Sequence, residues 1–158
     1  MLNEVYKRNI ELDQIFNDNY SSDTDVFKSN CIELLVELGE FINETKCFKY
    51  WSTKKTNKEM VLEEYADVIT MILYFANLNR MDITNYKITS TDKDLLELIN
   101  ETYNLCTNLM DNMTEDLVGK ILTNALQIAY LLDLKEEEII EAIKHKHEIV
   151  YERLNSDY

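Results

Sequence analysis

The sequence predicts an all-α protein, a bundle of about six helices. It contains no proline and only two glycines, so tight β-hairpins are nearly excluded. Its 158 residues are 46% hydrophobic, which suits a single domain, residues 1–158, because a chain of this length can bury about 70% of its unfolded surface. Apolar residues recur at helical spacing in six segments: 1–16, 24–46, 58–80, 92–112, 115–132 and 135–155.

Side chains that can accept hydrogen bonds from free backbone N–H groups mark four of the predicted helix starts. Two of them, Thr56 and Asp133, have a glutamate three residues later, the spacing of a capping box. The other two, Thr91 and Thr114, are simpler caps. The longest polar connection, residues 79–94, separates an acidic front half from a back half whose apolar faces predict packing within a bundle or against another subunit.

The charge excludes several classes of partner. Sixteen basic against thirty acidic residues give a net charge of -14, which repels nucleic acid and anionic membranes. An anionic substrate would therefore need a metal or a local basic patch. The three cysteines are odd in number, lack C-x-x-C spacing and lie in or beside apolar runs, as thiols do in a reducing compartment. With neither an apolar leader nor an apolar run of 18 residues, the sequence predicts a cytoplasmic location.

An acidic stripe crosses the second predicted helix. Glu33, Glu37, Glu40 and Glu44 fall within an arc of roughly 60° at 100° per residue. Like charges three and four residues apart repel, so the stripe is unfavourable unless a positive charge lies against it. Since apolar residues flank it, the stripe differs from an ordinary solvated face, which is broader and mixed in sign.

The third predicted helix repeats this feature. Glu64 and Asp67 precede an almost wholly apolar run, residues 68–76, which should be buried nearly all round. Antiparallel packing would bring Glu37, Glu40, Glu64 and Asp67 together, and carboxylates without histidine or cysteine suit Mg²⁺ or Mn²⁺. A di-iron bundle would need two Glu-x-x-His pairs, and neither histidine has a glutamate three residues before it.

These motifs resemble those of the dimeric dUTPases, in the all-α NTP pyrophosphatase superfamily, whose signature is E-x-x-E followed some two dozen residues later by E-x-x-D. Here 23 residues separate Glu40 from Glu64. The segment FKYWS, residues 48–52, is similar to the family's aromatic-Lys-aromatic-Trp segment. The segment KHEIVYERLNSDY, residues 146–158, resembles its C-terminal pattern K-N-x-x-N-x-x-R-Q-x-x-G-Y, and NIELDQI, which begins at Asn9, resembles its Q-x-x-L-D segment.

The resemblance implies a homodimer that hydrolyses dUTP, and also dUDP, to dUMP. It implies that Mg²⁺, or Mn²⁺ in its place, is held by Glu37, Glu40, Glu64 and Asp67, and that Glu37 polarises the attacking water with Glu40 beside it. Hydrolysis of a phosphoanhydride needs both neutralised phosphates and an activated water, which metals on carboxylates can provide. The residues expected to bind substrate are Asn9, Lys49, Trp51, Lys54, Lys55, Thr70, Tyr74, Asn77, Lys146, Arg153 and Tyr158.

The chain also departs from the family pattern. Asn9 replaces a glutamine, Thr70 stands where histidine is frequent, and Val150 and Leu154 replace polar residues. These changes fall in the half that reads the base, so we expect uracil selectivity to be weaker than with the full polar set. A related pyrophosphatase acting on dCTP or another non-standard NTP is one alternative. An acidic, non-enzymic helical protein that binds a basic partner is an alternative of another class.

Overall fold

The computed structural model describes residues 2–20 and 25–156, and within them every regular element is a helix, which confirms the predicted fold class. The longest, α3, contacts four of the other five helices, α1, α2, α5 and α6, while α4 packs on α2 and α5. The six helices are α1 (Asn3–Tyr20), α2 (Val26–Thr45), α3 (Lys58–Leu78), α4 (Leu95–Thr107), α5 (Glu115–Leu131) and α6 (Glu136–Asn155).

The hydrophobic core surrounds α3, because nearly all faces of this helix are apolar. The expectation for residues 68–76 is confirmed: all are buried except Thr70 and Met71, which are half-buried. The fully buried Tyr65 ring packs against Phe41 of α2 at 5.2 Å, and its hydroxyl donates a 2.8 Å hydrogen bond to the carbonyl oxygen of Ala125 in α5. Aromatic packing and a satisfied buried hydroxyl thus fix α2 and α5 against the central helix.

The predicted caps are correct at only one of the four starts. Thr114 caps α5 by accepting a hydrogen bond from the Leu117 N–H. Asp94 rather than Thr91 begins α4, because Asp94 and Glu97 form a reciprocal capping box. The hydroxyl of Thr91 instead accepts from the N–H of Lys93.

The other two predicted caps lie one or two residues too early. Asn57 rather than Thr56 caps α3, since the Thr56 hydroxyl donates to the carbonyl oxygen of Thr45. Asp133 does not cap α6 because its φ of 55° is left-handed, whereas an N-cap needs an extended backbone. The N-cap there is Lys135, whose N–H is bound by the Glu138 carboxylate at 2.9 Å.

Two helix lengths also differ from the prediction. Helix α1 continues to Tyr20, and α4 ends at Thr107 instead of 112. At that end Thr107 and Asn108 both donate side-chain hydrogen bonds to the carbonyl oxygen of Asn104, and these bonds compete with continuation of the helix. Among the described residues, no single helix is long and apolar enough to cross a membrane; α5 and α6 meet that criterion only as a pair, bent by 118°.

Both glycines lie at close approaches between elements. A Cβ on Gly39 of α2 would lie 3.3 Å from the Tyr103 hydroxyl of α4, a tight contact. A Cβ on Gly119 of α5 would overlap the hydroxyl of Tyr86, which belongs to the connection between α3 and α4. The absence of a side chain at 119 therefore lets this long connection pack directly on α5.

Candidate active site

A cavity of about 420 Å³ lies among α1, α2, α3 and α6, within the size range of small-molecule sites. One part is acidic, and the remainder is bounded mainly by apolar, amide and hydroxyl side chains, with Asp13, His147 and Arg153 among them. The lining residues are Asn9, Leu12, Asp13, Phe16, Asn17, Asn30, Glu33, Glu37, Asp67, Thr70, Met71, Tyr74, Lys146, His147, Val150, Arg153 and Leu154.

Three of the predicted metal ligands form a cluster that adjoins the acidic end of the cavity: Glu37 lines the cavity, and Glu40 and Glu64 line a neighbouring surface pocket. Glu37 and Glu40 lie one turn apart on α2, Glu64 lies on α3, and each offers one oxygen within 4.8 Å of the others. Glu37 and Glu64 are half-buried and Glu40 is exposed, so the cluster opens to solvent. Three hard oxygen donors with room for water molecules are the kind of set that Mg²⁺ uses.

The fourth predicted ligand, Asp67, has a protein cation as its neighbour. Lys146 Nζ of α6 lies 2.5 Å from Asp67 Oδ1, although this buried oxygen makes no hydrogen bond of acceptable angle within the described residues. Burial raises the pKa of Asp67, while the lysine opposes the rise. The carboxylate therefore lies beside the cluster but is held by an ion pair, with one buried oxygen poorly satisfied.

The cluster carries an excess of negative charge. Burial, followed by the charges of Asp67 and Glu40, raises the pKa of Glu37 to about 7. The pKa values of Glu33 and Glu64 are raised in the same way, by burial first and the charge of Asp67 second. Since these carboxylates disfavour one another's ionised forms, a divalent cation among them would relieve the repulsion. Donor chemistry, spacing and charge all fit a magnesium ion.

The other end of the cavity is organised by Asn9, which is almost fully buried. Its Nδ2 donates to Asp13 Oδ2 at 3.1 Å and to the carbonyl oxygen of Thr70 at 3.3 Å. Its Oδ1 lies 3.1 Å from His147 Nε2. Because both partners of Nδ2 are acceptors, the amide can adopt only one orientation, and both of its hydrogens are used within the protein.

This orientation also fixes the state of the histidine. Burial, with the charge of Arg8 as a second cause, lowers the pKa of His147 to about 4, so the ring is neutral at physiological pH. Since Asn9 Oδ1 can only accept, the proton must be on Nε2 of His147, which donates the bond. Burial also raises the pKa of Asp13 to about 7, although its bond from Asn9 opposes the rise.

The remaining predicted substrate residues divide into two groups. Thr70, Tyr74 and Arg153 line the cavity with Asn9 and Lys146. Outside the cavity lining are Trp51, which is 65% exposed and packs edge-on against Phe48 and Tyr50, together with Lys49, Lys54, Lys55 and Asn77. Lys49 donates to the side chain of Asn43 at 2.7 Å. Tyr158 lies outside the described residues.

Sequence reasoning did not select five polar side chains that line the cavity: Asp13, Asn17, Asn30, Glu33 and His147. Glu33 was visible as a member of the acidic stripe, and Asp13 lies within the N-terminal motif. His147 directly follows Lys146 in the C-terminal motif, so its position was available as a signal. Asn30 binds the Tyr74 hydroxyl, a contact between α2 and α3 that no local pattern indicates.

Comparison with known proteins identifies the family of this chain. No curated protein matches the chain. A protein-family model described as dUTPase matches residues 1–158, the whole length. This chain therefore belongs to the dUTPase family and is a nucleoside triphosphate pyrophosphohydrolase of the dUTP diphosphatase type.

Proposed function

We propose that this chain hydrolyses dUTP, and also dUDP, to dUMP in a reaction that depends on Mg²⁺, and so lowers the dUTP pool. The observation that carries the proposal is the carboxylate cluster of Glu37, Glu40 and Glu64, which adjoins, through Glu37, one end of a cavity large enough for a nucleoside. The triphosphate belongs at the cluster and the base in the remainder of the cavity. Membership of an enzyme family argues against the non-enzymic alternative.

Glu37, Glu40, Glu64 and Asp67 would hold the magnesium. When bound, the ion supplies positive charge to the phosphate oxygens and lowers the pKa of water. Mn²⁺ is a second ion that this oxygen donor set accepts. Lys146, which contacts Asp67 in the structure, would be available to a phosphate oxygen if Asp67 served as a metal ligand.

We assign Glu37 as the general base. Its carboxylate takes a proton from the attacking water while the water oxygen forms a bond to phosphorus. The bridging P–O bond then breaks, and dUTP yields dUMP and pyrophosphate. This role is the one that the family resemblance implies, and Glu37 is the member of the cluster that lines the cavity. Glu40 lies one turn further along α2, and one of its oxygens is within 4.8 Å of an oxygen of Glu37. We assign it as the second catalytic carboxylate, beside Glu37 in the ligand set.

The remaining cavity residues bind the substrate. Lys146 and Arg153, seven residues apart on α6, both line the cavity and can neutralise phosphate oxygens in this acidic protein. Thr70 and Tyr74 lie beyond Asp67 on α3, towards the part of the cavity assigned to the nucleoside.

Contributions from outside the cavity rest on the family resemblance. The exposed Trp51 would cover the sugar or base, and Lys49, Lys54 and Lys55 would approach the phosphates when the chain forms the proposed homodimer. Asn77 and Tyr158 are further substrate contacts on the same basis. We also propose that residues 1–158 form one domain and that the protein works in the cytoplasm, where its three free thiols suit a reducing environment.

A related specificity, for dCTP or another non-standard NTP, is the second candidate. The observation that favours it is the apolar part of the cavity lining, in which Val150 and Leu154 occupy positions where the family pattern is polar. An apolar pocket separates similar bases by roughly 10²-fold at best, whereas paired polar groups reach 10⁴-fold or more.

The decisive experiment measures kcat/KM for dUTP, dUDP, dCTP and dTTP with Mg²⁺, with Mn²⁺ and with EDTA. We expect dUTP to be the best substrate and hydrolysis to require the metal. If dCTP is preferred, the second candidate replaces the first. If no nucleotide is hydrolysed with either metal, the proposed reaction is wrong.

Metal binding has its own test, which does not depend on turnover. A hundredfold excess of Mg²⁺ over Kd should stabilise the folded chain by about 2.7 kcal/mol. Glu40→Gln should stabilise the metal-free protein, because it removes one repelling charge, and should abolish most of the Mg²⁺ effect. A melting temperature that ignores millimolar Mg²⁺ in the wild type would count against the cluster as a metal site.

A further inference from the structure

The amide of Asn9 is poorly suited to read a base directly. Both of its N–H groups are taken by protein acceptors, Asp13 Oδ2 and the Thr70 carbonyl, and its Oδ1 accepts from His147. Donation from Asn9 to a base edge would require breaking one of these buried bonds, which is costly. The network therefore holds Asn9 in place and leaves another group to donate to the ligand.

The positions of its two carboxylate oxygens identify Asp13 as the group that meets the ligand. Asn9 binds only one of its two carboxylate oxygens, Oδ2, and in the described part of the chain Oδ1 has no hydrogen-bond partner. Oδ1 is also not one of the buried unpaired oxygens, and Asp13 lines the cavity. One carboxylate oxygen is therefore fixed in direction by Asn9, and the other is accessible from the cavity.

Asp13 also lies away from the cluster that would hold the phosphates. Burial, with the charge of Asp13 as a smaller cause, raises the pKa of Tyr74, which is seven residues, or about 10 Å, beyond Asp67 along α3. The pKa of Asp13 itself is set by burial and by the hydrogen bond from Asn9. The pKa values of Glu37 and Asp67 are shifted by burial and by charges at the acidic end of the cavity. A nucleotide with its phosphates at the cluster would thus direct its base towards Asp13.

In a pyrimidine, the substituent at position 4 lies across the ring from the bond to the sugar, so it reaches deepest into such a cavity. Uracil has a carbonyl oxygen there, which accepts a hydrogen bond, and cytosine has an amino group, which donates. We propose that Asp13 contacts position 4 of the bound pyrimidine, and that Asn9 is a positioning residue that orients Asp13 without touching the base. The inference rests on the proposed function, because that function places the phosphates at the cluster.

The protonation state of Asp13 then decides which base it favours. A protonated Oδ1 donates to the uracil oxygen, and an ionised Oδ1 accepts from the cytosine amino group. With its pKa raised to about 7, the carboxyl changes state in the physiological range. As the pH rises, preference for dUTP over dCTP should fall.

The charged and titratable groups around Asp13 come from four helices. They are Tyr6 and Arg8 on α1, Glu33 on α2, Tyr74 on α3, and Lys146, His147 and Arg153 on α6. The tyrosines, whose pKa values are raised, and His147, whose pKa is about 4, all stay neutral between about pH 6 and pH 8. Glu33 faces the acidic end, where both substrates carry the same triphosphate, so its titration cancels in a ratio of the two.

The test is the ratio of kcat/KM for dUTP to kcat/KM for dCTP, measured from about pH 6 to pH 8 with Mg²⁺. In Asp13→Asn, the Nδ2 of Asn9 can donate only to the oxygen of the new amide, so the new NH₂ group faces the cavity and always donates. We expect its ratio to be independent of pH and at least about tenfold above the wild-type value at pH 8. Asp18→Asn, the same charge change at an exposed position of α1, should behave as wild type.

Asn9 is tested in the Asp13→Asn background. Adding Asn9→Leu removes the donor that orients the new amide, so the ratio should fall back towards the wild-type value. If the wild-type ratio does not vary with pH, or if Asp13→Asn leaves it unchanged or lowers it, Asp13 does not contact position 4, although dUTP hydrolysis and hence the proposed function stand. The pH profile of the wild type alone decides this question even if the variant does not fold.

Discussion

The two ends of the cavity differ in how the chain builds them. The acidic end draws its carboxylates from two consecutive helices, α2 and α3, with each pair spaced by one helical turn. The opposite end joins three helices, and its bond between Asn9 and His147 connects residues 138 positions apart. Local periodicity specifies the first arrangement, whereas only the packing of α1 against α3 and α6 creates the second.

The two ends also differ in whether their charges and hydrogen bonds are satisfied without a ligand. At the acidic end the pKa of Glu37 is raised by burial and neighbouring negative charges, a repulsion that a cation would relieve. At the opposite end the Asn9 amide satisfies all its hydrogen-bond donors within the protein, and His147 is neutral. The phosphate end should therefore respond strongly to metal, and the base end should be preorganised without ligand.

The largest expected effect comes from removing the proposed base at the acidic end. Glu37→Gln keeps the shape of the side chain but cannot accept the proton, so kcat should fall by at least ~10²-fold. Asp67→Asn should cause a loss of similar size, because it removes a metal ligand and the partner of Lys146. The measurement is the steady-state rate of pyrophosphate release from dUTP with saturating Mg²⁺.

Glu59→Gln is the matched control, since this glutamate is exposed and lies on the same helix as Glu64. It should retain the wild-type kcat. Near-normal turnover in both Glu37→Gln and Asp67→Asn would show that the acidic end is not the catalytic end, and the contrast between the two ends would lose its functional meaning.

The same contrast explains how much could be read from the sequence. The six helices and the burial of residues 68–76 follow from spacing along single helices, and the meeting of Glu37, Glu40 and Glu64 needs in addition only the packing of two consecutive helices, α2 and α3. The sequence predicted Asn9 and Lys146 as substrate-binding residues. It did not indicate that Asn9 uses its hydrogen bonds within the protein or that Lys146 pairs with Asp67. Those partners depend on the relative placement of three helices, which no local period encodes.

The cap errors have a related cause. Several neighbouring polar residues can each cap the same helix start, and contacts from elsewhere decide between them. The hydroxyl of Thr56 is engaged by the carbonyl of Thr45, eleven residues earlier, so Asn57 takes the cap. Thus the sequence predicted that helices begin near these positions, but tertiary contacts chose the residue.

A change of intermediate size should lower stability without affecting either end of the cavity. In Gly119→Ala the added methyl group would overlap the Tyr86 hydroxyl, so we expect a loss of about 1–3 kcal/mol in the free energy of unfolding. Well below the melting temperature, kcat and the dUTP/dCTP ratio should remain at wild-type values. Urea denaturation and steady-state kinetics on the same sample measure both quantities.

Tyr86→Phe provides the specific control for that clash. It removes the hydroxyl oxygen and leaves the ring carbon Cζ 3.5 Å from the new methyl group, an ordinary contact. Gly119→Ala should therefore cost much less in the Tyr86→Phe background than alone. Equal costs in the two backgrounds would assign the loss to something other than this overlap, and a changed base preference would show that the two cavity ends are not independent of the α5 packing.

The smallest expected effect concerns acid stability at the base end. In the folded protein the pKa of His147 is about 4, below its usual value of 6.5, so the unfolded chain binds more protons between these two values. The contribution of His147 to stability is thus fully present above pH 6.5 and is lost as the pH falls towards 4. His147→Gln can keep a donor to Asn9 but cannot titrate, so it should lack this acid sensitivity.

The quantity to follow is the difference in melting temperature between wild type and His147→Gln, without metal, from about pH 7 to about pH 5.5. Asp13 acts with the opposite sign, because its raised pKa makes the folded state favour the proton, but both proteins contain Asp13 and its effect largely cancels in the difference. We expect the difference to shift against the wild type by roughly 2–4 °C on acidification, which corresponds to about 1 kcal/mol in a chain of this size. Parallel curves would mean that His147 keeps its ordinary pKa in the folded state. The imidazole would then become protonated within the network around Asn9 at mildly acidic pH. The charge of the base end would in that case depend on pH as much as the charge of the acidic end does.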